Sequence, residues 1–66
     1  MTIILNGRES TAPAGASVLG LLETLGIVPG RVAVELNGTI VRRDEYALAI
    51  LRDSDRVEVV HFVGGG

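Results

Sequence analysis

The sequence contains no cysteine and only one histidine, His61, among its 66 residues. Without cysteine the chain can form neither a disulfide nor a thiolate zinc site, and a single imidazole is too few ligands for a metal ion. A domain this short buries only about 60% of the surface that its unfolded chain exposes. An apolar core must therefore supply the stability, and 47% of the residues are hydrophobic.

Lysine is also absent, because all six basic residues are arginine. The N-terminus is then the only amine for an isopeptide-like bond, so the chain cannot build lysine-linked polymers of itself. The formal net charge of -2 argues against nucleic-acid binding, which needs a basic patch. No apolar run approaches the roughly 18 residues that cross a bilayer, and the opening MTIILNGRES lacks the basic start of a signal peptide. We expect a cytoplasmic protein that binds neither nucleic acid nor membrane.

Hydrophobic periodicity and turn residues predict one helix between two groups of strands. Asn6-Gly7 and Asn37-Gly38 are two-residue hairpin signals, each following an apolar segment. Ser17 is a suitable N-cap for a helix over residues 18–25, and Gly26 is a suitable residue to end it. The predicted strands cover residues 2–5, 8–12, 32–36, 39–41 and 57–63.

One amphipathic helix can cover only one face of one sheet, so the order β-β-α-β-β-β predicts an α+β fold with two layers. The apolar residues of the helix fall at i, i+3, i+4 and i+7 from Val18, which makes one stripe that faces the sheet. Alternate strand residues face the helix in turn. The predicted core consists of Ile3, Leu5, Val18, Leu21, Leu22, Leu25, Val34, Leu36, Ile50, Leu51, Val57 and Val59.

The other parity of the last predicted strand carries a candidate contact surface. Because Val57 and Val59 have the parity of core residues, Glu58, Val60 and Phe62 are expected to point outward. An apolar pair on that side needs an explanation, and Ile4 joins it if the first and last strands are neighbours. We interpret these four residues as a docking patch for a partner protein. The alternative is that the strand twists and Phe62 folds over the edge of the core.

The remaining polar residues near the C-terminus have structural explanations. His61 has no partner in the sequence to orient it, so we interpret it as a solvated residue at a strand end. Asp53 and Asp55 flank Ser54 as turn-forming residues do, and residues 42–45 are interpreted as a solvated turn. The sequence therefore predicts no metal site and no catalytic side chain of its own.

A set of turn and terminal segments along the whole chain has a familiar arrangement. These segments are Asn6-Gly7, Pro13-Ala14-Gly15-Ala16-Ser17-Val18 before Leu21-Leu22, Asn37-Gly38-Thr39-Ile40-Val41, Asp53-Ser54-Asp55 and the terminal Gly65-Gly66. Together they resemble the ThiS family, the sulfur carriers of thiamine biosynthesis with a ubiquitin-like β-grasp fold. Arg42 and Ser54 depart from the family, which often has proline and glycine at these two positions.

The resemblance implies a fold and a chemistry. The fold would be a mixed sheet with one main helix packed on one face, forming a β-grasp domain over residues 1–63 and a flexible Gly tail at 64–66. An E1-like activating enzyme would use ATP to adenylate the carboxylate of Gly66. Sulfur would then replace AMP, and the resulting thiocarboxylate would donate sulfur for the thiazole ring of thiamine. Gly64 and Gly65 would thread a partner's active site, since glycine has no Cβ to block a narrow slot.

In this reading the chain is a carrier and not an enzyme, and it binds no cofactor itself. The implied partners are the adenylating enzyme, for which Ile4, Glu58, Val60 and Phe62 are the expected docking patch, a thiazole synthase and a sulfur donor such as a cysteine desulfurase. Three alternatives stay open: the small subunit of molybdopterin synthase, a ubiquitin-like protein modifier, and a passive interaction domain. The length and the turn segments favour the thiamine pathway.

Overall fold

Two Asn-Gly turns organise the sheet. Asn6 and Asn37 have φ angles of 49° and 51°, and the glycines after them also have positive φ, as type I′ hairpin turns require. The computed structural model describes residues 1–63. Its elements are β1 Thr2–Leu5, β2 Arg8–Thr11, α1 Val18–Thr24, a first 3₁₀ helix Pro29–Arg31, β3 Val32–Leu36, β4 Thr39–Val41, a second 3₁₀ helix Arg43–Glu45 and β5 Arg56–His61.

The strands form one mixed sheet in the order β2-β1-β5-β3-β4. β1 and β5 run parallel, and the other neighbouring pairs are antiparallel. The apolar stripe of α1 packs on one face of this sheet, because its residues share a core cluster with residues of β1, β3 and β5. The predicted α+β fold, a β-grasp with one main helix, is therefore confirmed.

Both ends of α1 are capped as their residue types predict. The hydroxyl oxygen of Ser17 accepts a hydrogen bond of 3.0 Å from the amide of Gly20. At the other end Gly26 has φ of 72°, a left-handed conformation that favours glycine. The amides of Gly26 and Ile27 donate to the carbonyls of Glu23 and Leu22, and these two bonds form a Schellman motif.

This cap overturns one predicted core residue. Leu25 closes the helix as its C-cap and is 44% exposed, so its assignment to the core was wrong. The Schellman motif reverses the chain and brings Ile27 back toward Leu22. Ile27 is partly buried and packs against the core at the end of the helix.

The segment before the last strand holds a second error. Residues 49–51 are extended and pair with residues 16–18, with Val18 donating to the carbonyl of Ala49 and Leu51 to that of Ala16. Alternation in an extended segment puts Leu51 in the core and Ile50 outside, where it is 51% exposed. The prediction of Leu51 is confirmed, and that of Ile50 is wrong.

Three buried residues were absent from the predicted core: Ala12, Val32 and Tyr46. Val32 begins β3, and the hydroxyl of Tyr46 donates to its carbonyl at 3.5 Å. Leu5 and Leu36, both predicted to be buried, are partly exposed and pack against the core. The other predicted core residues are buried: Ile3, Val18, Leu21, Leu22, Val34, Leu51, Val57 and Val59.

The ends of two strands also differ from the prediction. β2 ends at Thr11, although the amide of Ala12 still donates to the carbonyl of Met1. β5 ends at His61 and does not continue to residue 63. The predicted flexible Gly tail, 64–66, lies outside the described residues. Within residues 1–63 no helix is long and apolar enough to cross a membrane.

Candidate docking face and tail base

β5, which leads to the C-terminal tail, is held on both sides by asparagine side chains. The amide group of Asn6 donates to the carbonyl of Val59 at 3.2 Å and accepts from the amide of Val59 at 2.7 Å. Near the start of β5, Asn37 accepts from the amide of Arg56 at 2.9 Å and donates to the carboxylate of Asp55 at 3.0 Å. These bonds extend the backbone ladders of β1 and β3, so the strand before the tail has a defined position.

The structure brings three of the four predicted docking residues onto one face of the sheet. β1 and β5 are neighbours, and Ile4 is paired with Arg56, which shares the parity of Glu58 and Val60. This parity points away from the helix, because Val57 and Val59 on the other parity are buried. Val60 is 57% exposed, Glu58 is exposed, and Ile4 is half-buried.

Neighbouring strands add residues that the sequence alone did not identify. Ala33 and Glu35 of β3 lie opposite Val60 and Glu58, and Ile40 of β4 lies opposite Glu35. Alternation along β3 indicates that its odd-numbered residues point outward, but only the strand order places them beside β5. We call this surface the outward face; it consists of Ile4, Glu9, Ala33, Glu35, Ile40, Arg56, Glu58 and Val60.

The outward face combines apolar side chains with like charges. Glu35 and Glu58 are direct cross-strand partners, and like charges in that position repel. In the part of the chain that the structure describes, neither carboxylate takes part in an ion pair. With Glu9 and Arg56, these residues carry three carboxylates and one guanidinium, so the face is suited to a partner that brings apolar groups and a positive charge.

Phe62, the fourth predicted docking residue, lies just beyond β5. Because β5 ends at His61, strand alternation does not fix the direction of its side chain, and its assignment to the outward parity stays a prediction. Its amide donates to the carbonyl of Arg31 at 3.0 Å, so the backbone hydrogen bonds between β3 and β5 continue by one residue toward the tail. The side chain is 60% exposed, which does not fit the alternative in which Phe62 folds over the core edge.

The polar residues near the tail have the structural roles expected of them. His61 is exposed at the end of β5, opposite Val32. The carboxylate of Asp53 accepts from the amide of Thr2 at 2.9 Å, and that of Asp55 accepts from the amide of Arg52 at 2.8 Å. Across residues 1–63 no group of three His, Asp or Glu side chains could hold a metal ion.

Comparison with known proteins identifies relatives over the full length of the chain. A model described as the ThiS family matches residues 3–66. The chain is 32% identical over 66 residues to the sulfur carrier protein ThiS of Escherichia coli, with 100% of both chains covered. It is also similar to the crystal structure of the thiamine biosynthesis protein ThiS from Geobacter metallireducens, with a TM-score of 0.86, 35% identity and 100% of each chain covered.

Other relatives are much longer proteins. The chain is 48% identical over 66 residues to a thiazole synthase of Magnetococcus marinus and 41% identical to one of Paramagnetospirillum magneticum. The matches cover 100% of this chain and 20% of each relative, so the chain spans about a fifth of their length. In these two proteins a segment similar to this chain is part of the same polypeptide as the remainder.

Proposed function

Because the chain belongs to the ThiS family, we propose that it is a sulfur carrier that acts through its C-terminal glycine in thiamine biosynthesis. The carboxylate of Gly66 attacks ATP to form an acyl adenylate and releases pyrophosphate. A persulfide then displaces AMP to give an acyl disulfide, and a thiol reduces its S–S bond, which leaves a thiocarboxylate and a disulfide. A free carboxylate is a poor electrophile, and the bond to AMP gives it a good leaving group. The thiocarboxylate donates its sulfur to thiazole formation.

One observation carries the proposal: the family match extends through residue 66 and so includes the terminal glycines. β5 supports it, because a strand paired on both sides leads the chain directly to that end. Glycine has no Cβ, so residues 64–66 suit a narrow slot in another protein's active site. No acid, base or metal is required of the carrier, since the partners supply the chemistry.

The partners are proposed on chemical grounds and by analogy. An E1-like activating enzyme binds ATP and forms the adenylate, and a donor such as a cysteine desulfurase supplies sulfur. A thiazole synthase accepts the sulfur, and the two longer relatives bearing that name support this pairing. ATP and these enzymes imply a cytoplasmic setting. The outward face, with its apolar residues and the Glu35–Glu58 pair, is the proposed docking surface for the activating enzyme.

The test alters the tail and leaves the folded domain intact. Deletion of Gly66 moves the terminal carboxylate back by roughly 3.3–3.6 Å. Because a displacement of about 1 Å at a reacting centre can cost roughly a hundredfold in rate, we expect loss of activation. Gly65→Val leaves Gly66 and its carboxylate in the chain but adds a side chain at the slot. We expect this variant to lose activation as well.

Activation is measured by ATP–pyrophosphate exchange with the activating enzyme, followed by intact-mass detection of one carboxyl oxygen replaced by sulfur. Circular dichroism and thermal unfolding serve as controls that both variants fold like the wild type. Full activity of both variants would refute the carrier proposal. A stable complex with the large subunit of molybdopterin synthase, or transfer of the chain to protein amines, would favour one of the alternatives.

A further inference from the structure

Two arginine residues that are far from the tail in sequence lie near the end of the strand that leads to it. Arg31 ends the first 3₁₀ helix, and its carbonyl accepts from the amide of Phe62 at 3.0 Å. Arg43 follows β4, which runs antiparallel to β3 with Val41 opposite Val34, and therefore lies toward the same end of the sheet as Arg31.

Arg43 also packs against the first 3₁₀ helix. Its Nη1 atom lies 3.8 Å from the position that a Cβ on Gly30 would occupy. The guanidinium is thus close to the residue that precedes Arg31 in the chain. The fold thus places both residues, which we call the tail-base arginines, near Phe62, where the chain leaves the sheet.

Neither cation is neutralised within the described part of the chain. The ion pair found in residues 1–63 joins Arg42 to Asp44 at 2.9 Å, so that carboxylate is engaged by the neighbouring arginine. Glu45 lines a groove with Leu48 and Ala49 and forms no ion pair. Arg31 and Arg43 are both exposed, and two like charges on neighbouring parts of the fold, without an ion pair among the described residues, favour an anionic partner.

The length of the tail indicates which anion this is. The four residues after Phe62 span at most roughly 13–14 Å when extended. Because only the glycines among them suit a slot that excludes side chains, Val63 and the arginines stay outside it on the folded domain, away from the phosphates of the nucleotide. Their partner is then the protein surface around the slot. We propose that the tail-base arginines bind carboxylates on the rim of the activating enzyme's active-site entrance; this inference rests on the proposed function.

Charge pairs at the rim of an interface mainly change the rate at which the two proteins associate and their affinity. Their loss should raise KM of the activating enzyme for the carrier and leave kcat unchanged. The effect should also shrink with added salt, because the screening length falls from about 10 Å at 0.1 M to about 3 Å at 1 M ionic strength.

The experiment uses the full chain carrying Arg31→Gln and Arg43→Gln together. The matched control carries Arg8→Gln and Arg52→Gln, which change the net charge equally but lie on β2 and before the start of β5, away from the tail. ATP–pyrophosphate exchange is measured between about 0.05 and 0.5 M salt. At low salt we expect KM of the tail-base variant to rise roughly threefold to tenfold above the control, with a flatter salt dependence.

Each other outcome overturns the inference. Equal KM values for the tail-base variant and its control would show that the arginines do not dock, while wild-type activation would leave the proposed function standing. A fall in kcat at unchanged KM would place them in the chemistry. If inorganic phosphate at constant ionic strength competes with the wild type but not with the variant, the arginines bind phosphate and not a carboxylate rim. Failure of the wild type itself to be activated would remove the proposed function and this inference together.

Discussion

At the scale of single residues, Ser54 occupies a backbone conformation that suits it poorly. Its φ of 70° lies in the left-handed region, and its amide donates to the carbonyl of Thr2 at 2.7 Å. A non-glycine residue in that region costs roughly 1–2 kcal/mol, part of which glycine would recover despite its larger loss of entropy. Ser54 therefore adopts the geometry that glycine favours.

We predict that Ser54→Gly raises the free energy of unfolding by about 0.5–1 kcal/mol, because glycine removes the steric conflict of the β-carbon. Urea denaturation measures the change. Ser54→Ala is the control, since it keeps the β-carbon and loses only the hydroxyl. A gain of equal size in the alanine variant would assign the effect to the hydroxyl and contradict the backbone explanation.

Asn6 acts as an additional pairing residue of the sheet. Its side chain bonds both backbone groups of Val59, which is 53 residues away in sequence. We predict that Asn6→Ala lowers the free energy of unfolding by about 1–3 kcal/mol, because the amide of Val59 loses its acceptor. Asn6→Gly should cost less, since glycine accepts the φ of 49° without strain. An unchanged free energy of unfolding in Asn6→Ala would mean that water replaces the hydrogen bonds of the Asn6 side chain.

At the scale of elements, α1 depends on the sheet for its stability. A helix of seven residues is unstable alone, so its buried face must supply the stabilisation. Leu22 is fully buried among strand residues, and its neighbours Val18 and Leu21 are buried beside it. The Ser17 cap sets where the helix begins, and packing against the sheet keeps it folded.

We predict that Leu22→Ala lowers the free energy of unfolding by about 2–5 kcal/mol, the cost of a cavity in the core. That is a large share of the stability of a small domain. Leu48→Ala makes a matched control, because Leu48 is 76% exposed and should change stability by less than about 0.5 kcal/mol. Equal melting temperatures for wild type and the Leu22 variant would show that the helix does not pack as described.

At the scale of the whole molecule, the fold separates stability from recognition. One side of the sheet is covered by α1, and the other side forms the outward face, which is left open. Glu35 and Glu58 repel each other on that open side, and Val60 is exposed there. Along the chain, the exposed Phe62 lies between β5 and the tail. Substitutions of Phe62 should therefore weaken binding more than they destabilise the fold.

We predict that Phe62→Asp weakens binding to the activating enzyme and leaves the melting temperature nearly unchanged, because a charge enters an apolar contact but not the core. Calorimetric titration and ATP–pyrophosphate exchange measure the loss. Leu25→Asp introduces the same charge at an exposed apolar residue on the helix side of the sheet and should bind normally. Unfolding of the Phe62 variant would place its ring in the core, and normal activation would exclude it from the docking surface.

The sequence by itself determined the features that depend on near neighbours along the chain. The Asn-Gly turns, the Ser17 cap and the glycine that ends α1 act over one to four residues, so their residue types predict them. Alternation and helical periodicity likewise predicted most of the core and the outward parity of Glu58 and Val60. The family resemblance, carried by such local segments, was found in the same way.

Only the tertiary structure decided which of these local features meet. Exposure of Leu25 and Ile50 depends on how the chain reverses after α1 and pairs at residues 16–18. The Glu35–Glu58 pair and the approach of Arg31 to Phe62 require β3 beside β5, and the Asn6 bonds require β1 beside it. Periodicity along one segment shows which side of it is apolar, but not which distant segment lies next to it. That choice is made by packing of all elements on one core.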